Sequence, residues 1–314
     1  MEDIKVVIAV AAYNSGKHIG ELLDSLVSQT HKNLKIVVRD DKSSDNTVEI
    51  VKERAKADSR ISLLDIETEV SSAKENFFTL LLNISLSKNE YLMFSDADDV
   101  WKANKVEITL KAMLNAEAQY QKVTPILVHT DLEVVDENLN TISTSLFRYE
   151  KLSPKRNSLR EILVQNNVTG CTVMINNSLK EKIKENPKDA IMHDWWLALV
   201  TASFGKIIVV YEQTILYRQH DNNQIGAYNS RNLINGLKKL SKKDSMRRVY
   251  LSMYRQAGCF QEIFEQYLKQ EELKIVKEYA EMEYLTTMGR IIRIFRGRYF
   301  KNTLLRNIGQ FFVI

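Results

Sequence analysis

Residues 91–99 read YLMFSDADD. Tyr91–Phe94 is an apolar run of strand character, and it breaks abruptly into Asp96, Asp98 and Asp99. The same figure stands upstream, where Leu34–Arg39 runs into Asp40, Asp41 and the polar stretch Lys42–Asp45. Before both lies IKVVIAVAAY, residues 4–13, a continuous Val- and Ile-rich run of the kind that forms a strand buried on both faces. Between the strands, Ile19, Leu22, Leu23, Leu26 and Val27 recur at helical spacing. Ser44 is placed to cap a second helix that turns Val48 and Val51 inward, Arg60–Ile66 forms a third strand and Ala73–Leu86 a third helix. Strands alternating with helices predict an α/β domain with a mostly parallel sheet and right-handed crossovers. Ligands of such sheets bind beyond the carboxyl ends of the strands, where both acidic clusters fall.

The second half is less regular. Ile126–Val135 reads as a strand, followed by a polar loop through Pro154, a short helix over 158–164 and a strand over 171–175. A helix opens at Asp194-Trp195-Trp196 and runs to Ser203, and Ile207–Tyr217 is a long strand ending at Arg218-Gln219-His220. From about Asn229 the pattern is helical. We divide the chain at this change, into a domain over residues 1–226 and a helical region over 227–314.

Composition narrows the classes of function. The 314 residues are 44% hydrophobic, with 3 Pro and 10 Gly, which excludes a disordered or collagen-like chain. The two cysteines, Cys171 and Cys259, have no CxxC neighbours, so a reducing compartment is expected. No apolar run reaches about 18 residues, and the start Met-Glu-Asp lacks the basic, apolar pattern of a secretory signal. We therefore expect a cytoplasmic protein. The net charge of +4 is unevenly placed: no Asp or Glu follows Glu283, and Arg290, Arg293, Arg296, Arg298, Lys301 and Arg306 give residues 284–314 a charge of +6. Positions 1–283 then carry −2, which argues against nucleic acid as a partner and for a basic tail with its own.

Three carboxylates in the four residues 96–99 repel one another unless a cation or another partner neutralises them. A hard divalent ion, Mg or Mn, shared with the oxygens of a diphosphate would do so, and so would a helix start capped by Asp. His220 follows a different strand end and can complete a metal site, with Arg218 beside it as a fork for phosphate oxygens. Asp194 suits either a helix N-cap or a general base walled by aromatic side chains. Trp195 and Trp196 cannot face one way on a helix, so one is expected in the core and one near the site.

Taken together, VAAYNSGKHI, VVRDDKSSDNT, FSDADDVWKANK, MHDWW and YRQHDNNQIG resemble, in order and approximate spacing over residues 4–226, the inverting glycosyltransferases of family 2. Within that family the chain resembles bacterial enzymes that transfer rhamnose or a related sugar during cell-surface polysaccharide assembly. The resemblance implies a GT-A fold and a donor that is a nucleotide-diphosphate sugar. Ala11, Tyr13 and Asn14 lie where the family holds base and ribose, and Asp41, with Asp40 beside it, where it accepts the base N–H. Ala11 and Ala12 stand where Thr or Cys is frequent. Asp96 and Asp98 match the DxD motif, Asp98 as the metal ligand and Asp96 nearer the ribose; Asp99 is an addition frequent in this branch. Asp194 matches the catalytic base, and His220 with Arg218 lies against metal and diphosphate. Asn76, Trp101 and Lys105 are implied donor contacts, and Gly170-Cys171 lines the sugar site. A nucleotidyltransferase would need a longer Gly-rich basic loop after the first strand than Asn14–Lys17 provides, and a noncatalytic sugar- or nucleotide-binding module would not need Asp194.

The tail mixes Arg with Ile, Leu and Phe over residues 290–312, as an interfacial helix or an oligomerisation helix does. With a lipid-linked or polysaccharide acceptor, we expect it to hold the enzyme at an anionic membrane, peripherally on the inner face of the plasma membrane.

Overall fold

The computed structural model describes residues 1–69, 71–219 and 239–314, and for 239–245 the backbone alone. The first half alternates as its sequence does: β1 (Val6–Ala12), α1 (Ile19–Val27), β2 (Leu34–Asp40), α2 (Thr47–Ala57), β3 (Ile61–Leu63), α3 (Ala73–Asn83) and β4 (Tyr91–Asp96). A short β5 (Val100–Trp101) and a long α4 (Lys105–Tyr120) follow, then β6 (Ile126–Val135), β7 (Thr141–Ser143), α5 (Leu146–Tyr149) and α6 (Leu159–Val164). The remainder comprises β8 (Val173–Asn176), α7 (Asn177–Lys180), α8 (His193–Phe204), β9 (Lys206–Arg218), α9 (Lys239–Phe264), α10 (Gln270–Ala280), α11 (Thr287–Gly297) and α12 (Leu304–Val313).

The strands form one sheet in the order β3-β2-β1-β4-β8-β6-β9-β5, with β7 paired to β6. The long ladders β1/β2, β1/β4 and β6/β9 are parallel, whereas β8 runs antiparallel between β4 and β6 and joins the two halves. The first four strands are apolar throughout because helices cover both faces. Register then aligns the chemistry: Ala11 sits between Arg39 of β2 and Asp96 of β4, and Ala12 is level with Asp40. The loops after three parallel strands therefore open at one edge.

Several boundaries differ from expectation. The third strand closes at Leu63, three residues before Ile66, and α3 ends at Asn83. The helix after β2 has Asn46, not Ser44, as its N-cap, because Ser44 donates its N–H to the Asn14 side chain at 2.8 Å and belongs to the loop. Cys171 lies in a 3-10 turn, Gly170–Thr172, ahead of β8. Asp194 is the second residue of α8, with Met192 at its N-cap. Helix α4, which no local sequence pattern announces, buries Val106, Thr109, Leu110, Met113 and Ala116 along one face. The C-terminal helices share a core with α3, α6 and α8, through Tyr250, Tyr254, Phe260, Tyr279, Ile294 and Tyr299 among others.

Candidate active site

The loops leaving β1 and β2 are stitched to each other. Asn14 takes a left-handed backbone (φ 45°), as does Lys42 (φ 64°), so both strands turn sharply where they end. Ser43 accepts the Asn14 N–H at 2.7 Å, and its own N–H and hydroxyl are fixed by the Asp40 carboxylate at 2.8 and 2.5 Å. Ser15 and Gly16 donate to Thr47 and Asp45. This leaves the Tyr13 ring half-exposed at the rim, available to stack on a flat ligand. Asp41 is only 2% exposed and both its oxygens are taken, one by Arg39 at 3.1 Å and the other by the Ser71 hydroxyl at 2.7 Å. Asn76 ties the two strand ends by donating to Ala12 and Arg39 carbonyls; its side-chain oxygen is buried without a partner.

The acidic cluster after β4 sits on the sheet's floor. Burial, then the charges of Asp98 and Asp194, pushes the Asp96 carboxyl up to about 7. Asp99 is fully enclosed and held well above the usual carboxylate range by burial and its two neighbours. It accepts the Arg218 N–H at 3.2 Å, while its second oxygen is buried with no partner. Ligand atoms of Asp96, Asp99 and the buried Cys171 all lie within 4.8 Å of one another. Under them Lys105 stands over the Trp101 ring at 4.3 Å with its ammonium unpartnered, and burial brings its pKa down to about 7. Lys105 and Trp101 thus lie beneath the acidic loop, each almost wholly enclosed.

Arg218 ends β9 with its guanidinium turned to the protein. It donates to the Asp98 carbonyl at 2.8 Å, to the Glu137 carbonyl, and to the Glu21 carboxylate at 2.5 Å. The sequence aims this side chain at a diphosphate; in the fold it also straps the loop that carries Asp98 and Asp99. Glu21, on α1, is 197 positions away in the chain, and nothing in the sequence marks it as Arg218's partner. His220 lies outside the described residues.

Asp194, near enough for its charge to raise Asp96, borders a cavity of about 240 Å³ lined also by Trp195, Tyr217, Asn166 and Thr169. Its two oxygens accept the Gly170 N–H at 3.1 Å and the Trp195 N–H at 2.6 Å. Burial raises the carboxyl to about 6, with those backbone donors opposing the rise. Gly170 is required here, since a Cβ would come within 2.8 Å of the His193 imidazole. That imidazole is wedged on Phe77, ring centroids 3.9 Å apart, and burial keeps it neutral with a pKa down to about 3. Trp196 is buried against Phe260 and Phe264, while Trp195 borders the cavity and anchors its indole N–H on the Ile162 carbonyl at 2.7 Å.

The model of glycosyl transferase family 2 matches residues 7–182. The chain belongs to this family. It is 28% identical over 233 residues to the dTDP-rhamnosyl transferase RfbG of Shigella flexneri, covering 69% of this chain and 74% of the relative. It is also 31% identical over 138 residues to the UDP-Glc:alpha-D-GlcNAc-diphosphoundecaprenol beta-1,3-glucosyltransferase WfgD of Escherichia coli, covering 44% of this chain and 49% of that one. Among solved structures it is similar to residues 1–349 of S. aureus TarS in complex with UDP-GlcNAc, with a TM-score of 0.53 and 18% identity, over 94% of this chain and 88% of that chain. The protein is a family 2 glycosyltransferase of GT-A fold.

Proposed function

We propose that the enzyme moves rhamnose from dTDP-rhamnose onto a hydroxyl of a lipid-linked saccharide, in one displacement that inverts the anomeric centre. The observation that carries this is Asp194: a carboxylate raised to about 6 at the wall of a cavity, near enough to the acidic floor for its charge to raise Asp96. A general base needs a proton affinity close to ambient pH and open access to a hydroxyl, and this position has both. The rhamnosyl donor rests on the likeness to the Shigella relative, and the lipid-linked acceptor on the name of the Escherichia relative.

The half-exposed Tyr13 ring stacks on the base. Asp40, which keeps partial exposure, and the backbone around Asn14 face it, whereas Asp41, buried between Arg39 and Ser71, shapes the loop. The acidic floor fits a divalent cation: the Asp99 oxygen buried without a partner and the Asp96 carboxyl, with ligand atoms within 4.8 Å of each other, supply hard oxygens, and the charge of Asp98 is near enough to raise both. Asp98 and Asp96 would hold the ion, with His220 as a third ligand. Bound there, Mn or Mg would neutralise the departing diphosphate. Arg218 fixes the backbone of Asp98 and so sets where that carboxylate points. Asp194 takes the proton of the acceptor hydroxyl as its oxygen attacks, and Gly170 and Trp195 hold the carboxylate in line through backbone N–H groups.

Thermal unfolding of the full chain with dTDP-rhamnose, UDP-glucose and GDP-mannose, each with Mn, tests the donor. The dTDP sugar is expected to raise Tm most, since a ligand of the native state stabilises by mass action. A larger rise with another nucleotide would replace the rhamnosyl assignment.

A further inference from the structure

Helices α11 and α12 wear their apolar stripes outward. In α11 the buried face is Arg290, Ile294 and Gly297, and on the opposite side Met288, Ile292 and Phe295 face solvent at the same helical spacing. In α12 the buried residues are Gln310 and Val313, and the solvent face carries Leu304, Leu305, Ile308 and Phe312. These seven side chains are 42–75% exposed. A soluble helix places its stripe the other way, against the core. The two helices touch through Phe295 and Phe311, whose rings stack at 5.3 Å and 2°. The exposed residues of the two helices therefore adjoin at this ring pair, and exposed apolar surface of this kind marks an interaction site.

Charge decides among occupants. No Asp or Glu follows Glu283, and Arg296 and Arg298 lie exposed beside the stripe. The other basic residues of the tail are engaged inside the protein: Arg290 on the Met282 and Glu283 carbonyls, Arg293 on Glu281, Lys301 over the Tyr250 ring and Arg306 on Glu150. An apolar stripe edged by arginine and free of carboxylates suits the interface of an anionic bilayer, where a helix lies in the plane and inserts its apolar face. Among the described residues no helix is long and apolar enough to cross a membrane.

The surface is fastened to the acceptor cavity. Between α11 and α12, Asn302 donates to the Asn167 side chain at 2.6 Å, and at the start of α12 Arg306 donates to the Glu150 carbonyl at 2.8 Å. Asn167 and Glu150 both line the cavity that Asp194 borders. Arg156 and Arg160 also secure this segment, on the Phe300 and Gly297 carbonyls. We infer that α11 and α12 form a monotopic docking surface for anionic lipid, rigidly joined to the wall of the acceptor cavity so that docking brings that cavity to the bilayer. The role of the cavity rests on the function proposed above; the lipid surface itself does not.

Flotation of the full chain with phosphatidylcholine vesicles, with and without phosphatidylglycerol, is the test. The wild type is expected to float with the anionic vesicles. Leu304→Gln, Leu305→Gln and Phe312→Gln combined should weaken binding by at least about tenfold, given the apolar area withdrawn, with an unchanged melting temperature because all three side chains face solvent. Arg296→Gln with Arg298→Gln should weaken it by about tenfold at low salt and have little effect at high salt. A wild type that stays with neither vesicle, a triple variant that floats like the wild type, or a concentration-dependent dimer abolished by the triple variant would each overturn the inference. Flotation needs neither donor nor Asp194, so its failure leaves the glycosyl transfer standing, and failure of the donor test leaves the lipid surface standing.

Discussion

Asp194 shows how one residue acquires its chemistry from packing. Two backbone N–H groups stabilise its charge, yet enclosure by Trp195 and the walls of the cavity outweighs them and sets the carboxyl at about 6. The base proposed here works only when unprotonated. Below about pH 6 the carboxyl fills with protons, so turnover should fall about tenfold per pH unit on the acid side and level off above. A pH profile of nucleoside diphosphate release checks this; a limb near pH 4 would mean an ordinary, solvated carboxylate. The residue types at this site were legible in the sequence, because Asp194 beside a Trp pair and the Asp96–Asp99 cluster after a strand are local patterns. Which oxygen of each is already occupied was not. Asp41 and Arg218 spend their side-chain hydrogen bonds on Ser71, Arg39, Asp98, Glu137 and Glu21, and all of these but Arg39 are brought close only by the fold.

Elements were legible where one period ran unbroken. The strands β1, β2 and β4 declared themselves by continuous Val and Ile or aromatic runs, and the parallel register that followed placed three loops at one edge. Helix α4 escaped because Thr109 and Glu117 interrupt its buried face, the second to meet Tyr91 of β4 at 2.6 Å, a pairing that belongs to tertiary structure. The antiparallel insertion of β8 is likewise a matter of long-range pairing. The junction of α8 and β9 makes the element-scale demand plain. There Gly205 passes so near Pro125 that a Cβ would meet its carbonyl oxygen at 1.8 Å, while Lys206 donates to that same oxygen at 2.9 Å to start the β6/β9 ladder. Gly205→Ala is expected to cost about 1–3 kcal/mol, the usual range for overpacking. Chemical denaturation would measure it, and an unchanged midpoint would show that the junction relaxes freely.

At the scale of the whole molecule, one sheet joins two tasks. Its parallel half, β3-β2-β1-β4, gathers the loops of Tyr13, Asp40 and Asp96, and its mixed half, with α8 and the C-terminal helices, carries Asp194 and the cavity before it. If the first half binds the donor and the second supplies the base, the two must be separable by one substitution. The decisive measurement is nucleoside diphosphate release from dTDP-rhamnose by the wild type and Asp194→Asn, alongside the donor-induced rise in Tm for each. An equal rise in Tm is expected, with a turnover lower by roughly two to four orders of magnitude in the variant. Near-normal turnover in Asp194→Asn would contradict Asp194 as the base.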